Sequence, residues 1–476
     1  MKKSKLWFLS LIPLSSFVAI SSIQVGVDNK AEWKQFDKDG NLFLWTGKEK
    51  PKDKNGTEIT GFSLVDISKL NKEFLEKFNL YDSLKDNLGK LYIKDSSLIK
   101  VGFIEYKADL KKIEETQSNF LYKITTKHFS PKNDGTSTHG QLMSTVFSNT
   151  NQGIYPYAQV YVVSISDYDN QFAAMEYLKN EGIKIINMSY GVKNQKNSDA
   201  YDYSISQYID KLAYENDILF VSSAGNDNHL GAYLSDKDGA VNSLVVGSVN
   251  KHDDLEYFSD RKWDEKKLKY LPLKPNIATY YLDHIMGTSG SSAVTSALVA
   301  YLMNFYNVKN PSDIVALLSA LSKSKDNQSN QLIYGIGAGI SNLKDLSQYT
   351  NTINIAHKSK PELIGDYLKL KDKEFIELTV PKEKKEISIG LYWTSDGEYK
   401  LSNNQKFSRY DDYNIELYKQ ENNEWKEVIK STENINNQEI IRFKNESNKE
   451  EKYRIKIKSA TKTPRNTYIS LSYILR

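Results

Sequence analysis

Residues 170–223 decide the fold class. Asn170–Asn180 (NQFAAMEYLKN) carries its apolar positions at helical spacing and is followed by the short apolar run Ile183–Met188 (IKIINM). The same order then repeats: Ser204–Glu215 (SISQYIDKLAYE) is helical and Ile218–Ser223 (ILFVSS) is apolar. Short apolar runs bounded by turn residues read as buried strands. Strands alternating with helices of this length imply a mostly parallel sheet covered by helices on both faces. Working outward, Ile99–Ile104, Gln159–Ser164 and Leu244–Val249 add strands of the same kind, so the α/β region spans residues 99–348. Such sheets place ligands at the carboxyl ends of their strands.

On the C-terminal side the period changes. From about residue 355, segments such as Tyr413–Tyr418, Lys452–Ile457 and Thr467–Tyr473 alternate residue by residue, with turn clusters between them. Residues 355–476 therefore read as a β-sandwich. On the N-terminal side, residues 23–98 are polar, with a Lys/Asp/Gly/Asn-rich stretch at 47–56. They read as an N-terminal extension or pro-segment and show no chemistry. Residues 1–22 read as an export signal peptide or an uncleaved membrane anchor. Lys2, Lys3 and Lys5 precede the apolar run Leu6–Ile20, and Ala19-Ile20-Ser21 offers small residues for cleavage. The run is short for a spanning helix, which needs about 20 apolar residues, and an N-terminal core helix is the bland alternative. No cysteine follows it, which excludes a lipoprotein anchor. The expected location is secreted or cell-surface.

Composition narrows the chemistry. The 476 residues carry 64 basic and 60 acidic side chains, a net charge of +4, so nothing electrostatic points to nucleic acid. Cysteine is absent, which excludes disulfides, a thiol nucleophile, a thiolate zinc site and a redox switch. Only 6 histidines are available for a catalytic imidazole. An exported chain without disulfides relies on core burial, which a chain of this size can supply.

Three stretches carry candidate chemistry. Met286-Gly287-Thr288-Ser289-Gly290-Ser291-Ser292-Ala293 precedes the apolar helical run Val294–Phe305. A serine among small residues at a helix start suits a nucleophile, because substrate can approach closely and the helix N–H groups face a developing oxyanion. The plain alternative is a Gly/Ser turn capping a core helix. Thr138-His139-Gly140 opens a helical run and offers the base such a serine needs, or a structural histidine. Phe220–Asp227 (FVSSAGND) is a strand ending in Ala-Gly-Asn, where the Asn226 amide is a neutral donor or a simple turn residue.

Taken in order, these stretches resemble the subtilisin-like serine peptidases over roughly residues 100–346. Gly287-Thr288-Ser289, Thr138-His139-Gly140 and Ala224-Gly225-Asn226 are similar to that family's nucleophile, histidine and oxyanion segments. Gly153–Ala158, Ile186–Gly191, Val246–Val249 and Lys274–Ala278 resemble its connecting segments in family order. The resemblance implies a subtilisin-like three-layer α/β domain and an endopeptidase working through an acyl-enzyme. Ser289 would be the nucleophile, His139 the base, Asn226 and the Ser289 N–H the oxyanion donors, and Ser189-Tyr190-Gly191 the segment that pairs with substrate and shapes its pocket.

The departures are specific. The family's catalytic aspartate, followed by a small residue and glycine, is replaced by Glu105-Tyr106-Lys107. Glu105 is the expected third member, with Asp109 and then Asp134 as alternatives. The family proline after the nucleophile is Ala293, and the second histidine of its histidine motif is Leu142. No cofactor is required. Asp227, Asp236 and Asp238 are candidate ligands of a structural calcium, against the simpler reading of solvated loop carboxylates. The competing function is a catalytically impaired binding protein on the same fold, against which intact Ser289, His139 and Asn226 argue. A third reading is a maturation enzyme for the organism's own exported proteins. The partners expected are protein or peptide substrates. The Lys/Asn/Ile-rich, cysteine-free composition resembles exported mycoplasma-type proteins, whose subtilases include immunoglobulin-cleaving enzymes that act with an antibody-binding partner.

Overall fold

The computed structural model describes residues 42–45, 62–65, 76–78, 90–94 and 98–476. Within the last range it omits 130–135, 151–152, 168, 192–202, 231, 233, 262–271, 283–284, 307, 325–330, 350–351, 400–410 and 433–435. The expected signal at 1–22 and the alternative triad residue Asp134 lie outside the described residues. Among the described residues no helix is long and apolar enough to cross a membrane.

The segment that showed no chemistry contributes strands. β1 (Leu42–Trp45), β2 (Phe62–Val65) and β3 (Lys90–Lys94) form an antiparallel sheet in the order β1-β3-β2. Between them, Phe78 is buried in the core of the following domain, edge-on to Tyr280 at 6.0 Å.

The α/β domain holds seven strands: β4 (Ile99–Tyr106), β5 (Thr125–His128), β6 (Ala158–Ile165), β7 (Ile185–Met188), β8 (Leu219–Ser223), β9 (Ser243–Val249) and β10 (Ile277–Tyr280). All pair in parallel, in the order β10-β9-β8-β7-β4-β6-β5. The chain starts in the middle, at β4, builds to one side and then to the other. The crevice at that reversal is where an open parallel sheet binds its ligand.

The helices are α1 (Leu110–Glu115), α2 (His139–Ser148), α3 (Asn170–Asn180), α4 (Tyr203–Asn216), α5 (Thr288–Phe305) and α6 (Pro311–Leu321). Strand alternation splits the core in two. Val101, Phe103, Ile185 and Val221 pack with residues of α2, α5 and α6. Ile104, Ile186, Met188 and Phe220 pack on the opposite face with residues of α3 and α4. Both faces are thus covered, as the near-continuous apolar strands demand. α5 is buried around most of its circumference, so its polar residues bond inward: Ser291 Oγ donates to Thr279 O at 2.9 Å and Thr295 Oγ1 to Thr279 Oγ1 at 2.9 Å.

The C-terminal β-sandwich is built from β11 (Ile353–Ser359), β12 (Leu363–Ile364), β13 (Tyr367–Leu368), β14 (Ile376–Val380), β15 (Glu386–Trp393), β16 (Tyr413–Glu421), β17 (Glu424–Ser431), β18 (Gln438–Lys444), β19 (Glu451–Ser459) and β20 (Thr467–Leu475). One sheet runs β11-β20-β15-β18 and the other β12-β13-β19-β16-β17, with β14 on β19. Ile389, Leu391 and Trp393 face Leu417, Ile455 and Ile457 between the sheets.

The other face of β15 explains why that strand is buried on both sides. Tyr392, with Ile440 and Ile474, joins the core of the α/β domain, and Ser388 Oγ donates to Ala320 O at 2.7 Å. The last carbonyls of α6 have no partner within the helix. Two sandwich arginines supply one. Arg442 donates to Ser322 O at 3.0 Å and also bonds Ala338 O, and Arg476 donates to Leu321 O at 2.7 Å. Cations at a helix C-terminus also complement its dipole. Arg442 is buried, and desolvation lowers its pKa to about 10. The sandwich therefore completes the α/β core. Arg442→Ala should lower stability by about 2–5 kcal/mol, as for other large buried side chains, read from the shift in urea midpoint. A chain ending at residue 348 should show no cooperative unfolding transition.

Candidate functional site

Three strand ends meet at the carboxyl edge of the sheet. On β4, residues 101, 103 and 105 point to the face covered by α2 and α5. The strand's period of two therefore delivers the Glu105 carboxylate under α2. Glu105 is only 1% exposed, and its Oε2 lies 2.7 Å from His139 Nδ1. Gly140, next to that histidine, leaves room for the extra methylene. A Cβ there would sit 3.1 Å from Glu105 Cγ. Two residues on, where glycine is expected, Lys107 adopts φ +49°, a left-handed conformation costing roughly 1–2 kcal/mol in a residue with a Cβ. Hydrogen bonds hold it there: Lys107 N–H donates to Ile165 O at 2.7 Å, and Ser137 N–H donates to Lys107 O at 2.9 Å. The lost glycine thus leaves the turn intact.

Asp109, the alternative carboxylate, instead caps α1, where its Oδ1 accepts from Lys112 N–H at 3.2 Å. His139 is the first residue of α2 and half-buried. The Glu105 charge raises its pKa above 6.5, with burial opposing. The pair contributes stability that is complete below pH 6.5 and is lost as pH rises through the raised value. Because Nδ1–H donates to the carboxylate, the neutral ring keeps its lone pair on Nε2.

Ser289 stands in the first turn of α5, where backbone N–H groups have no intrahelical partner. Its Oγ donates to Ser189 O at 3.1 Å. Asn226 follows β8, and its side chain can be oriented from donors alone. Thr288 N–H reaches Asn226 Oδ1 at 2.9 Å, and Thr288 Oγ1–H reaches the same atom at 2.9 Å. A backbone N–H can only donate, so the oxygen must face Thr288 and the NH2 group is left as the outward donor. Thr288 Oγ1 in turn accepts from Gly225 N–H at 3.0 Å. Thr288 is thus a site residue that sequence reading passed over as part of a motif.

The segment after β7 divides by the same alternation. Asn187 and Ser189 face α5. Ser189 Oγ lies 2.7 Å from Asn187 Oδ1 and 2.7 Å from Ser292 Oγ, and Asn187 Nδ2 donates to Ser292 and Ser296. Tyr190 faces the other way. Its ring is buried with Met188 and Ile205, and its hydroxyl donates to Gln171 Oε1 at 3.0 Å. The side chain expected to shape a pocket is a core residue, which leaves only its backbone for substrate. Gly191 is exposed.

The three candidate calcium ligands do not gather. Asp238 is fully buried, and its oxygens accept from Ser222 Oγ at 2.6 Å, Ser235 N–H at 3.0 Å, Ser235 Oγ at 2.6 Å and Lys237 Nζ at 2.7 Å. A carboxylate neutralised by lysine and three neutral donors is a helix cap, not a cation ligand. Among the described residues no group of three or more His, Cys, Asp or Glu is placed to hold a metal.

The site holds a carboxylate that orients an imidazole at the start of α2, a serine at the start of α5, which packs against α2, and an amide donor bonded to the residue before that serine. Such a set can perform acyl transfer through serine. If Glu105 sets the charge state of His139, Glu105→Gln should lower the His139 pKa, measured by NMR titration of its ring resonances. An unchanged pKa would contradict the assignment.

The family model described as the subtilase family matches residues 27–339. Among solved structures, the protease domain of PatA is 19% identical, with 52% of this chain and 92% of that one covered and a TM-score of 0.41. The prenylagaramide maturation protease PagA is 19% identical, covered 52% and 91%, with a TM-score of 0.40. MycP1 without its N-terminal propeptide is 14% identical, covered 52% and 89%, with a TM-score of 0.41. No curated protein matches the chain. With the match extending over most of its length, this chain belongs to the subtilase family of serine peptidases.

Proposed function

We propose that the chain is an exported serine endopeptidase that cuts protein substrates through an acyl-enzyme. The contact of Glu105 Oε2 with His139 Nδ1 at 2.7 Å carries this reading, because it fixes the tautomer that a general base needs. Ser289 Oγ turns from the Ser189 carbonyl, passes its proton to His139 Nε2 and attacks the scissile carbonyl. The Asn226 amide and the Ser289 N–H hold the oxyanion. His139 then gives its proton to the leaving amine, and water repeats the sequence to release the acid.

Peptide as substrate is supported by apolar surface beside these groups. Leu142, one turn after His139, is 42% exposed, and Met286, just before the nucleophile segment, is 64% exposed. An extended chain crossing the site would cover both. The export reading places the substrates outside the cell. Within that class, immunoglobulin chains held by an antibody-binding partner are the candidate that the compositional resemblance suggests. Incubation with immunoglobulin, with and without such a partner, tests it, and intact chains in both samples would remove it.

A fluorophosphonate probe should label the wild type and not Ser289→Ala. A folded wild type that stays unlabelled would instead support the binding-protein reading. Because Glu105 raises the pKa of His139, kcat/KM should climb as pH rises through a value above 6.5, where the base becomes neutral. Glu105→Gln should move that limb to lower pH.

A further inference from the structure

Residues 225–227, which present the Asn226 amide, are held from two sides. Thr288 accounts for one, and Asp260 for the other. Asp260 N–H donates to Gly225 O at 3.0 Å, and its Oδ1 accepts from Asp227 N–H at 3.1 Å. The second carboxyl oxygen lies against the Gly225 Cα, where a Cβ would come within 2.1 Å of Oδ2. Gly225 has φ +110°, so only glycine suits both the backbone and the space. Asp260 is 4% exposed, although it lies in a loop.

We propose that Asp260 is a positioning residue of the oxyanion site, which fixes the turn that aims the Asn226 amide at the developing oxyanion. Two hydrogen bonds from one residue bracket Asn226 on both sides in sequence, at Gly225 and at Asp227. Thr288 fixes the side-chain oxygen of Asn226, and Asp260 fixes the backbone from which that side chain springs. A donor misplaced by about 1 Å loses much of its worth to the transition state while substrate binding is little changed.

The charge of Asp260 fits this role. Burial first, and then the neighbouring Asp227 and Asp238, push its carboxyl up to about 7, against the Asp227 N–H bond and Arg261. Near neutral pH much of it is uncharged and opposes a nearby oxyanion less. The acceptor that the turn needs is an oxygen, which asparagine also supplies.

The inference rests on the peptidase reading above, and a double-mutant cycle on the full chain tests it with a chromogenic peptide substrate. Asp260→Ala should lower kcat about 10- to 100-fold with KM changed less than about threefold. Asp260→Asn should recover most of the loss. In an Asn226→Ala background, Asp260→Ala should cost little more, because its effect passes through Asn226. Thermal melting of each variant checks folding, and Asp260→Ser replaces Asp260→Ala if the latter does not fold. Additive losses in the double variant, a change in KM alone, or unchanged kcat in Asp260→Ala would overturn the proposal while leaving the peptidase reading intact. A wild type without turnover or fluorophosphonate labelling would overturn both.

Discussion

The site depends on one buried contact, the Glu105 carboxylate against the His139 imidazole. A carboxylate taken out of water is costly unless a charge or hydrogen bonds meet it. Here the imidazole meets one oxygen, Oε2, while Oε1 is buried without a hydrogen-bond partner among the described residues, and the contact fixes the orientation of both groups. Three features of the surroundings hold the pair. β4 is an interior strand of a fully parallel sheet and the one at which the strand order reverses, and its alternation points residue 105 toward α2. Gly140 makes room for a glutamate where a shorter aspartate is the family habit. Lys107 accepts a strained φ so that the turn after the strand keeps its course.

The second constraint is the shared core of the two large domains. α6 ends with carbonyls directed at the sandwich, and Arg442 and Arg476 meet them there. Tyr392, Ile440 and Ile474 belong to the α/β core although they lie in sandwich strands. α6 follows α5, whose first turn carries Ser289, so the sandwich supports the layer that holds the nucleophile. Phe78 makes a smaller contribution of the same kind from the N-terminal segment.

Much of this was legible in the sequence. The strand–helix order at 170–223, the apolar runs and the three motif segments give the sheet and the positions of Ser289, His139 and Asn226. Alternation beyond 355 gives the sandwich. Other features depend on relations that one sequence does not display. Choosing Glu105 over Asp109 needs the end of β4, and Asp109 turns out to be a helix cap. Alternation from Ile186 and Met188 places Tyr190 in the core, a signal that was present and outweighed by the motif. The strands at 42–45, 62–65 and 90–94 are isolated apolar patches in polar surroundings, too short to show a period. Asp260 and Gly225 are distant in sequence, and only the fold sets one against the other. Asp238 reads as a solvated loop carboxylate in sequence because the adjacent Lys237 is an ordinary surface residue type and its other partners, Ser222 and Ser235, form no marked pattern.

The central claim is that Glu105 orients the base. The direct measurement compares kcat/KM for Glu105→Ala and Asp109→Ala on one peptide substrate, with folding checked for each. The account predicts a loss on the order of 10⁴ for Glu105→Ala, the magnitude known for the corresponding aspartate in other serine peptidases, subtilisin among them. It predicts only a few-fold change for Asp109→Ala. Near-normal turnover in folded Glu105→Ala, or an equal collapse in folded Asp109→Ala, would contradict it.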